Sequence, residues 1–572
     1  MTAKNRLELT WMGKENRPRL EPRILIEDPA RSHHADARRA GDQFDNILIH
    51  GDNLLALKAL QATHSGTVKC VYIDPPFNTG SAMPDYPDGL EHSIWLSLMR
   101  ERIILLRDLL ADDGSIFVHL DDNEIDYLKI IMDEEFGRAN FVNRITVKAR
   151  SPSAFSTVNP GVFKSSEYIL WYAKDRGKFV ENSGRVRRSP NYAYNRWLEN
   201  PEDKPEDWRF GTLSDAFERL GPKRIASPQR MLENFDRFVV ENAKHIWRPT
   251  EISDTGAGQR TVEAKYASLD RPGRVVSVER QGLDTIHVLD GRQISFYSKN
   301  VRELDGELCA TELMTNIWND IAWEGIASEG GVTFRKGKKP ERLIRRCLQL
   351  ATDEGDLVLD SFAGSGTTGA VAHKMKRKWI MVELQDHCLS HVIPRLNRVI
   401  DGSDRSGVTA VEGWRGGGGY RYYRLAPSLL EKDQFDHWVI SKSYNAEMLA
   451  EAMCKHFGFS YEPSTEHFWM HGHSSETDFI YVTTASLTHD QLRAISEEVG
   501  DERTLLICCK AFQTQNPDSF KNLTLRKIPS AVLNRCEWGK DDYSLKIENL
   551  PMMDDDVEED EPQAELFDGA AK

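Results

Sequence analysis

Residues 70–80 read CVYIDPPFNTG. Val71, Tyr72 and Ile73 form a short apolar run, as expected of a strand covered on both faces. Two consecutive prolines cannot donate to a ladder, so the strand stops at Asp74. Pro75 and Pro76 also fix the backbone, which sets the directions of the Asp74 carboxylate and the Pro75 carbonyl. Phe77 follows on a stiff turn with its ring free to stack. Ligands of open α/β sheets sit beyond the carboxyl ends of the strands. The stretch therefore reads as a rigid polar cup under an aromatic lid. A plain strand-terminating turn with a capping acid is the other reading of the same residues.

A second motif lies far down the chain. DLVLDSFAGSGTTGAVAHKM (356–375) reads as strand, glycine-rich turn and helix. Gly364, Gly366 and Gly369 satisfy G-x-G-x-x-G, which lets a ligand approach the backbone and offers it free helix N–H groups. KRKWIMVELQ (376–385) then gives a second strand ending in Glu383, about 20 residues past the first glycine, where dinucleotide folds hold ribose hydroxyls. A dinucleotide site, a P-loop and an adenosyl-methionine site compete. The turn has Thr367 and Thr368 but no lysine, against a P-loop. Hydride transfer has no use for an Asp-Pro-Pro-aromatic turn, whereas methyl transfer to an exocyclic amine does.

Together, IDPPF and SFAGSGTTG resemble the catalytic and adenosyl-methionine motifs of the DNA amino-methyltransferases. The catalytic motif comes first, some 280 positions ahead of the other. That order is similar to the β class, which includes the modification subunits of type III restriction–modification systems. ILIHGDNLLALKAL (47–60), the stretch 88–124, SSEYILWYAK (165–174) and KKPERLIRRCL (338–348) extend the likeness. The resemblance implies an α/β fold: a circularly permuted Rossmann-like methyltransferase domain on a mostly parallel seven-stranded sheet. It implies S-adenosyl-L-methionine as cofactor and adenine N6 in duplex DNA as target, reached by base flipping. The enzyme would be a site-specific, adenine-specific DNA-methyltransferase of a restriction–modification or phage-defence system. Asp74 and Pro75 would accept the amine hydrogens, with Pro76 stiffening the turn and Phe77 stacking on the base. Asp360, Phe362, Ala363, Gly364, Ser365, Gly366 and Thr367 would surround the cofactor, together with Lys339. Glu383 would hold its ribose and Asp52 would face its adenine. Cytosine-N4 methylation is the nearest alternative, disfavoured by an Asp at the first motif position. A non-catalytic, cofactor-sensing DNA-binding subunit is the other, disfavoured by the intact motifs.

The 572 residues suggest three or four domains, and 40% hydrophobic with 28% charged residues fit a globular chain. No apolar run reaches the ~20 residues of a membrane span, and no signal-peptide core opens the chain. Eight cysteines contain no CxxC pair, so neither a zinc site nor a disulfide framework is expected, and the location reads as cytoplasmic. His471 and His473 flank Gly472 without a Cys or carboxylate partner, which reads as a loop and not as a metal site. The net charge of −15 is uneven. DDDVEEDE (554–561) is an acidic tail, while residues 140–346 hold roughly 35 Lys and Arg against roughly 28 Asp and Glu. A locally basic face is compatible with double-stranded DNA.

The expected organisation is an N-terminal extension (1–44), a catalytic half (45–180), a target-recognition insertion (181–325) and a cofactor half (326–415). A C-terminal α/β docking or dimerisation domain (420–550) and an acidic disordered tail (551–572) follow. In RVRRSPNYAYNRW (185–197), Arg185, Arg187, Arg188 and Arg196 are candidate DNA contacts. Gly416 to Gly419 read as a flexible joint. In the tail, Gln563, Leu566 and Phe567 resemble the peptide that docks bacterial proteins on the sliding clamp. By resemblance, a homodimer and a restriction or helicase subunit are further expected partners.

Overall fold

A computed structural model describes residues 8–78, 92–150, 162–182, 184–223, 227–323, 325–334, 337–514 and 519–544. The clamp-like peptide and the acidic tail fall outside these residues.

The two motif strands, Val68–Ile73 and Leu357–Asp360, are parallel neighbours at the centre of one eleven-stranded sheet, with Val358 opposite Cys70 and Leu359 opposite Val71. On one side follow Lys378–Glu383 and then Asn46–His50, both parallel. On the other side Leu110–Leu120 is parallel, Ser166–Ala173 antiparallel, and Phe141–Lys148 antiparallel to that. These are the seven expected strands, with only Ser166–Ala173 reversed. The centre is apolar on both faces. Val71, Ile73, Ile116 and Leu359 pack one way, against Leu54, Leu57, Trp95, Met99 and Ile103 of the helices Asn53–His64 and His92–Leu109. Cys70, Tyr72, Phe117, Val358 and Met381 pack the other way, against Ile344, Leu348, Val371 and Leu396. The continuous hydrophobic runs are thus those of strands buried between two helical layers.

Four more strands extend this sheet. Ile317–Trp318 pairs with Thr146 and Val147 at one edge. At the other, Gly419–Leu425 runs parallel to Asn46–His50, and Leu25–Glu27 and His33–His34 pair with it. Gly419–Leu425 corrects the expected joint. Gly416, Gly417 and Gly418 have φ of 91°, 125° and 74°. A Cβ on Gly416 would meet the Ile400 carbonyl at 2.8 Å, and one on Gly418 the Gln43 carbonyl at 2.6 Å. The run exists because backbone is packed against backbone while the chain turns into a core strand.

Residues 185–313 form their own body between Ser166–Ala173 and the return strand at Ile317. A six-stranded sheet runs in the order Phe210–Thr212, Arg196–Leu198, Ile246–Glu251, Arg292–Phe296, Leu283–Leu289, Val276–Arg280. A three-stranded sheet joins Val301–Leu304, Glu307–Leu313 and Arg185–Arg187. The insertion anticipated at 181–325 therefore closes earlier, because Ile317 and Trp318 already belong to the central sheet. The C-terminal unit places Asp478–Thr488 and Thr504–Gln513 side by side in parallel, joined by the helix His489–Val499. Cys508 and Cys509 are core residues there.

Candidate active site

The chain turns sharply after Ile73, and three contacts hold the turn. The Trp95 indole donates to the Pro76 carbonyl at 2.9 Å. Asn78 has φ of 58°, a left-handed conformation that Asn tolerates, and its amide donates to Glu124 Oε1 at 2.7 Å. His92 Nδ1 lies 3.0 Å from the same oxygen. The Asp74 carboxylate is thus aimed by the backbone and left with one buried oxygen, Oδ1, that has no hydrogen-bond partner. Buried carboxylate oxygens are rarely left so.

The other oxygen, Oδ2, faces the Lys339 ammonium at 3.1 Å. Lys339 precedes the helix Glu341–Ala351 and reaches three groups at once. Its Nζ is 3.5 Å from Glu167 Oε2 and 4.5 Å from the centre of the Phe77 ring. His119 Nε2 stands 2.9 Å from the same Glu167 oxygen. The other nitrogen of His119 is 2.8 Å from the Tyr72 hydroxyl. Burial raises the Asp74 carboxyl, and Lys339 opposes but does not cancel that. Burial also works against an ionised Glu167, yet Lys339 and His119 outweigh it and hold this carboxyl at about 2. Burial works against the Lys339 ammonium too, and Asp74 and Glu167 together keep its pKa above the ordinary lysine value. The predicted cofactor contact Lys339 is therefore spent on the Asp-Pro-Pro-Phe side of the site. Glu167, His119 and Tyr72 were missed, although a charged residue inside SEYILWYA and a His inside SIFVHL are visible breaks in apolar runs.

The glycine turn lies at the adjoining strand end. Gly364 and Gly366 have φ of 54° and 76°, and Gly366 caps the helix Thr367–Lys374. Glu383 reaches across from its strand to accept the Gly364 N–H at 2.7 Å, while its other oxygen accepts from Gln385 N. Asp360 accepts from Phe362 N, and burial pushes its carboxyl up to about 7. Ser361 Oγ is buried without a partner. Arg395 fixes the far side of the turn, donating to Thr367 Oγ1 at 2.7 Å and to the Ser365 carbonyl at 3.3 Å.

Asp52 is held by contacts within the protein. One of its oxygens caps the helix Asn53–His64 through Leu55 N. The other accepts the Tyr543 N–H at 2.9 Å and has Arg102 3.6 Å away. Both Asp52 oxygens are thus engaged within the protein, and the residue is 1% exposed. Of the four candidate DNA contacts, Arg187 and Arg188 are exposed but paired with Glu307 and Glu312. Arg185 donates to Thr311 Oγ1 at 3.1 Å, and Arg196 is exposed.

A permuted parallel sheet with one reversed strand, carrying a buried acid at one strand end beside a glycine turn at the next, defines a Rossmann-like methyltransferase fold. Within that class the chain belongs to the DNA methylase family whose N6/N4 model matches residues 68–393. It is 31% identical to the probable type III restriction-modification enzyme HindVI Mod subunit of Haemophilus influenzae, over 75% of this chain and 60% of that one. It is 23% identical to the EcoP15I Mod subunit of Escherichia coli, over 93% of this chain and 90% of that one. A putative DNA modification methylase from Thermus thermophilus, solved with S-adenosyl-L-methionine, shares 14% identity at a TM-score of 0.29. That likeness covers 65% of this chain and 97% of that one. The chain spans 60% and 62% of the length of the HindVI and EcoPI Mod subunits. No helix among the described residues is long and apolar enough to cross a membrane.

Proposed function

We propose that this chain is the modification component of a type III-like restriction–modification system, methylating adenine N6 in double-stranded DNA in the cytoplasm. The observation that carries this reading is the unpartnered Asp74 Oδ1, buried at a strand end beside the glycine turn. It suits an amine hydrogen, and a carboxylate strengthens such a bond over one to water. The Pro75 carbonyl takes the second hydrogen, which frees the nitrogen lone pair from the ring. Phe77 stacks on the extruded base. The glycine turn, the helix start at Thr367 and Glu383 form a cradle open to backbone approach and suited to S-adenosyl-L-methionine. That group supplies an electrophilic methyl on sulfur. With that methyl in place, the Asp74 carboxylate and the Pro75 carbonyl would keep the amine lone pair aimed at it, and Asp74 would take up the proton that the amine releases.

Residues 185–313 serve target recognition in this reading, and their exposed arginines meet phosphate. The test is transfer of tritiated methyl from S-adenosyl-L-methionine to DNA lacking adenine methylation, followed by nucleoside analysis. N6-methyladenine from the wild type and none from Asp74→Ala supports the reading. N4-methylcytosine replaces it with the cytosine alternative, and DNA binding without transfer replaces it with a non-catalytic subunit. Homodimerisation, a restriction or helicase partner, and clamp binding through Gln563, Leu566 and Phe567 remain parts of the proposal with their own tests. Sedimentation reads the first, co-purification the second, and retention on clamp by Leu566→Ala/Phe567→Ala the third.

A further inference from the structure

Three buried polar atoms around the Lys339 ammonium lack an aligned hydrogen bond: Asp74 Oδ1, Glu167 Oε2 and His119 Nε2. His119 Nε2 and Glu167 Oε2 face each other at 2.9 Å as an ion pair, whereas Asp74 Oδ1 has no partner at all, which is unfavourable for a buried carboxylate unless a donor arrives to share it. The ammonium itself lies between two carboxylates, 3.1 Å from one and 3.5 Å from the other. It also covers the Phe77 ring, the surface a base would use. An amine entering at Asp74 and a ring entering on Phe77 both meet Lys339.

We infer that Lys339 is a displaceable counter-ion: it holds the Asp74 carboxylate charged in the free enzyme and passes to Glu167 when the base amine arrives. Glu167 is the receiving residue, positioned by His119, which Tyr72 orients in turn. Glu167 and His119 act through Lys339 and are positioning residues. The device answers a physical problem. A buried carboxylate without a cation would take up a proton and lose its value as an acceptor. A cation fixed to it would compete with the amine. Two carboxylates at nearly equal distance let one cation serve both states with little motion. The strand Ser166–Ala173 carries Glu167, and Leu110–Leu120 carries His119, so the receiving pair is built on rigid neighbours in the sheet. Arg150 adds positive charge toward Glu167, while His119 adds positive and Glu167 negative charge toward Asp74.

The inference rests on the amine-methylation reading, so two readouts separate them. Methyl transfer to bacterial DNA is followed from about pH 6 to 9.5 for wild type, Glu167→Gln, Lys339→Met and the double variant, each checked by thermal melting. Without Glu167 the ammonium stays on Asp74, so kcat in Glu167→Gln should fall at least about tenfold. Lys339→Met should move the acidic limb of its profile up by about one pH unit, because Asp74 has lost its cation. The double variant should be at least about threefold faster than Glu167→Gln at high pH, since the clamp is gone. A Glu167→Gln enzyme at the wild-type rate overturns the inference. So does a folded double variant no faster than Glu167→Gln. The second readout is calorimetric binding of adenosine to enzyme saturated with S-adenosylhomocysteine, which fills the cofactor cradle and needs no turnover. Adenosine should bind more weakly to Glu167→Gln than to wild type, and the double variant should recover. Equal binding by all three overturns the counter-ion role even if methyl is transferred. The expected binding pattern in a wild type that transfers no methyl sinks the enzyme reading and keeps the counter-ion.

Discussion

The Lys339 ammonium stands 3.1 Å from Asp74 Oδ2 and 4.5 Å from the centre of the Phe77 ring. One cation therefore joins the acid and the aromatic of the Asp-Pro-Pro-Phe turn, although 262 positions separate Lys339 from Phe77 in the sequence. Replacing Asp74 by Asn keeps an oxygen acceptor and removes the charge that Lys339 neutralises. Methyl transfer should fall by about 10²–10³-fold, the usual range for losing one aimed electrostatic group. Cofactor binding by calorimetry should be unchanged, because the glycine turn is held by Glu383 and Arg395 instead. Equal loss of cofactor affinity would show that Asp74 supports the turn and does not orient the amine.

Phe77 packs only partly into the core, which leaves ring surface for a base. Stacking on an extruded base is worth about 1–3 kcal/mol. Phe77→Ala should thus raise KM for DNA by about 5–150-fold, while Phe77→Trp should stay near wild type. Steady-state methylation measures both. A Phe77→Ala enzyme with normal KM and lowered kcat would assign the ring to packing against Lys339 alone.

The two candidate turns stood out in the sequence because each follows a core strand with residues that redirect the backbone: prolines, which cannot donate to a ladder, in one, and glycines, which admit a left-handed φ, in the other. What the sequence hid was everything joined through the third dimension. Glu167 reads as one polar break in SEYILWYA, and nothing local says that it faces Lys339 from a neighbouring strand. Asp52 stands where a cofactor contact would be, but Tyr543, almost 500 positions later, lies on its second oxygen. The glycine run at 416–418 misled for another reason. Glycine permits both freedom and close backbone approach, and only the packed Ile400 and Gln43 carbonyls show which is in force.

Glu167 predicts an acid-sensitive stability. Its carboxyl is held at about 2, below its ordinary 4.5. The unfolded chain therefore binds this proton more readily than the folded one. Stabilisation is complete above about pH 4.5 and is lost as pH falls through 2. The difference corresponds to on the order of 3 kcal/mol. Melting of wild type and Glu167→Gln should differ most near neutrality and converge as pH falls toward about 2. A gap that stays constant over that span would place the stabilisation in packing, not in charge.

Arg187 and Arg188 are exposed yet paired with Glu307 and Glu312. Exposed pairs contribute about 0–1 kcal/mol, so phosphate can compete for these arginines at little cost. Arg187→Ala/Arg188→Ala should weaken DNA binding and reduce the salt slope by about two. Glu307→Gln/Glu312→Gln should tighten binding by freeing the same side chains. Fluorescence anisotropy at several salt concentrations decides it. An unchanged salt slope in the arginine variant would leave the pairs as surface structure only.

Behind the glycine turn lies a buried ionic cluster. Lys374 Nζ is 2.7 Å from Glu341 and 2.6 Å from Asp404, and Arg395 is 2.8 Å from Glu341. Glu341, Lys374 and Arg395 have no side-chain exposure. Removing one partner of such a cluster leaves an uncompensated buried charge, at a cost of about 3–5 kcal/mol. Lys374→Met should therefore lower the melting temperature by several degrees. It should also weaken cofactor binding, because Arg395, which braces Ser365 and Thr367, would be drawn toward the unpaired carboxylates. Adding Asp404→Asn should return part of the stability by removing one of those charges. Melting and cofactor calorimetry on the single and double variants check both effects. If Lys374→Met melts early but binds cofactor normally, the cluster stabilises the helices around it without bracing the turn.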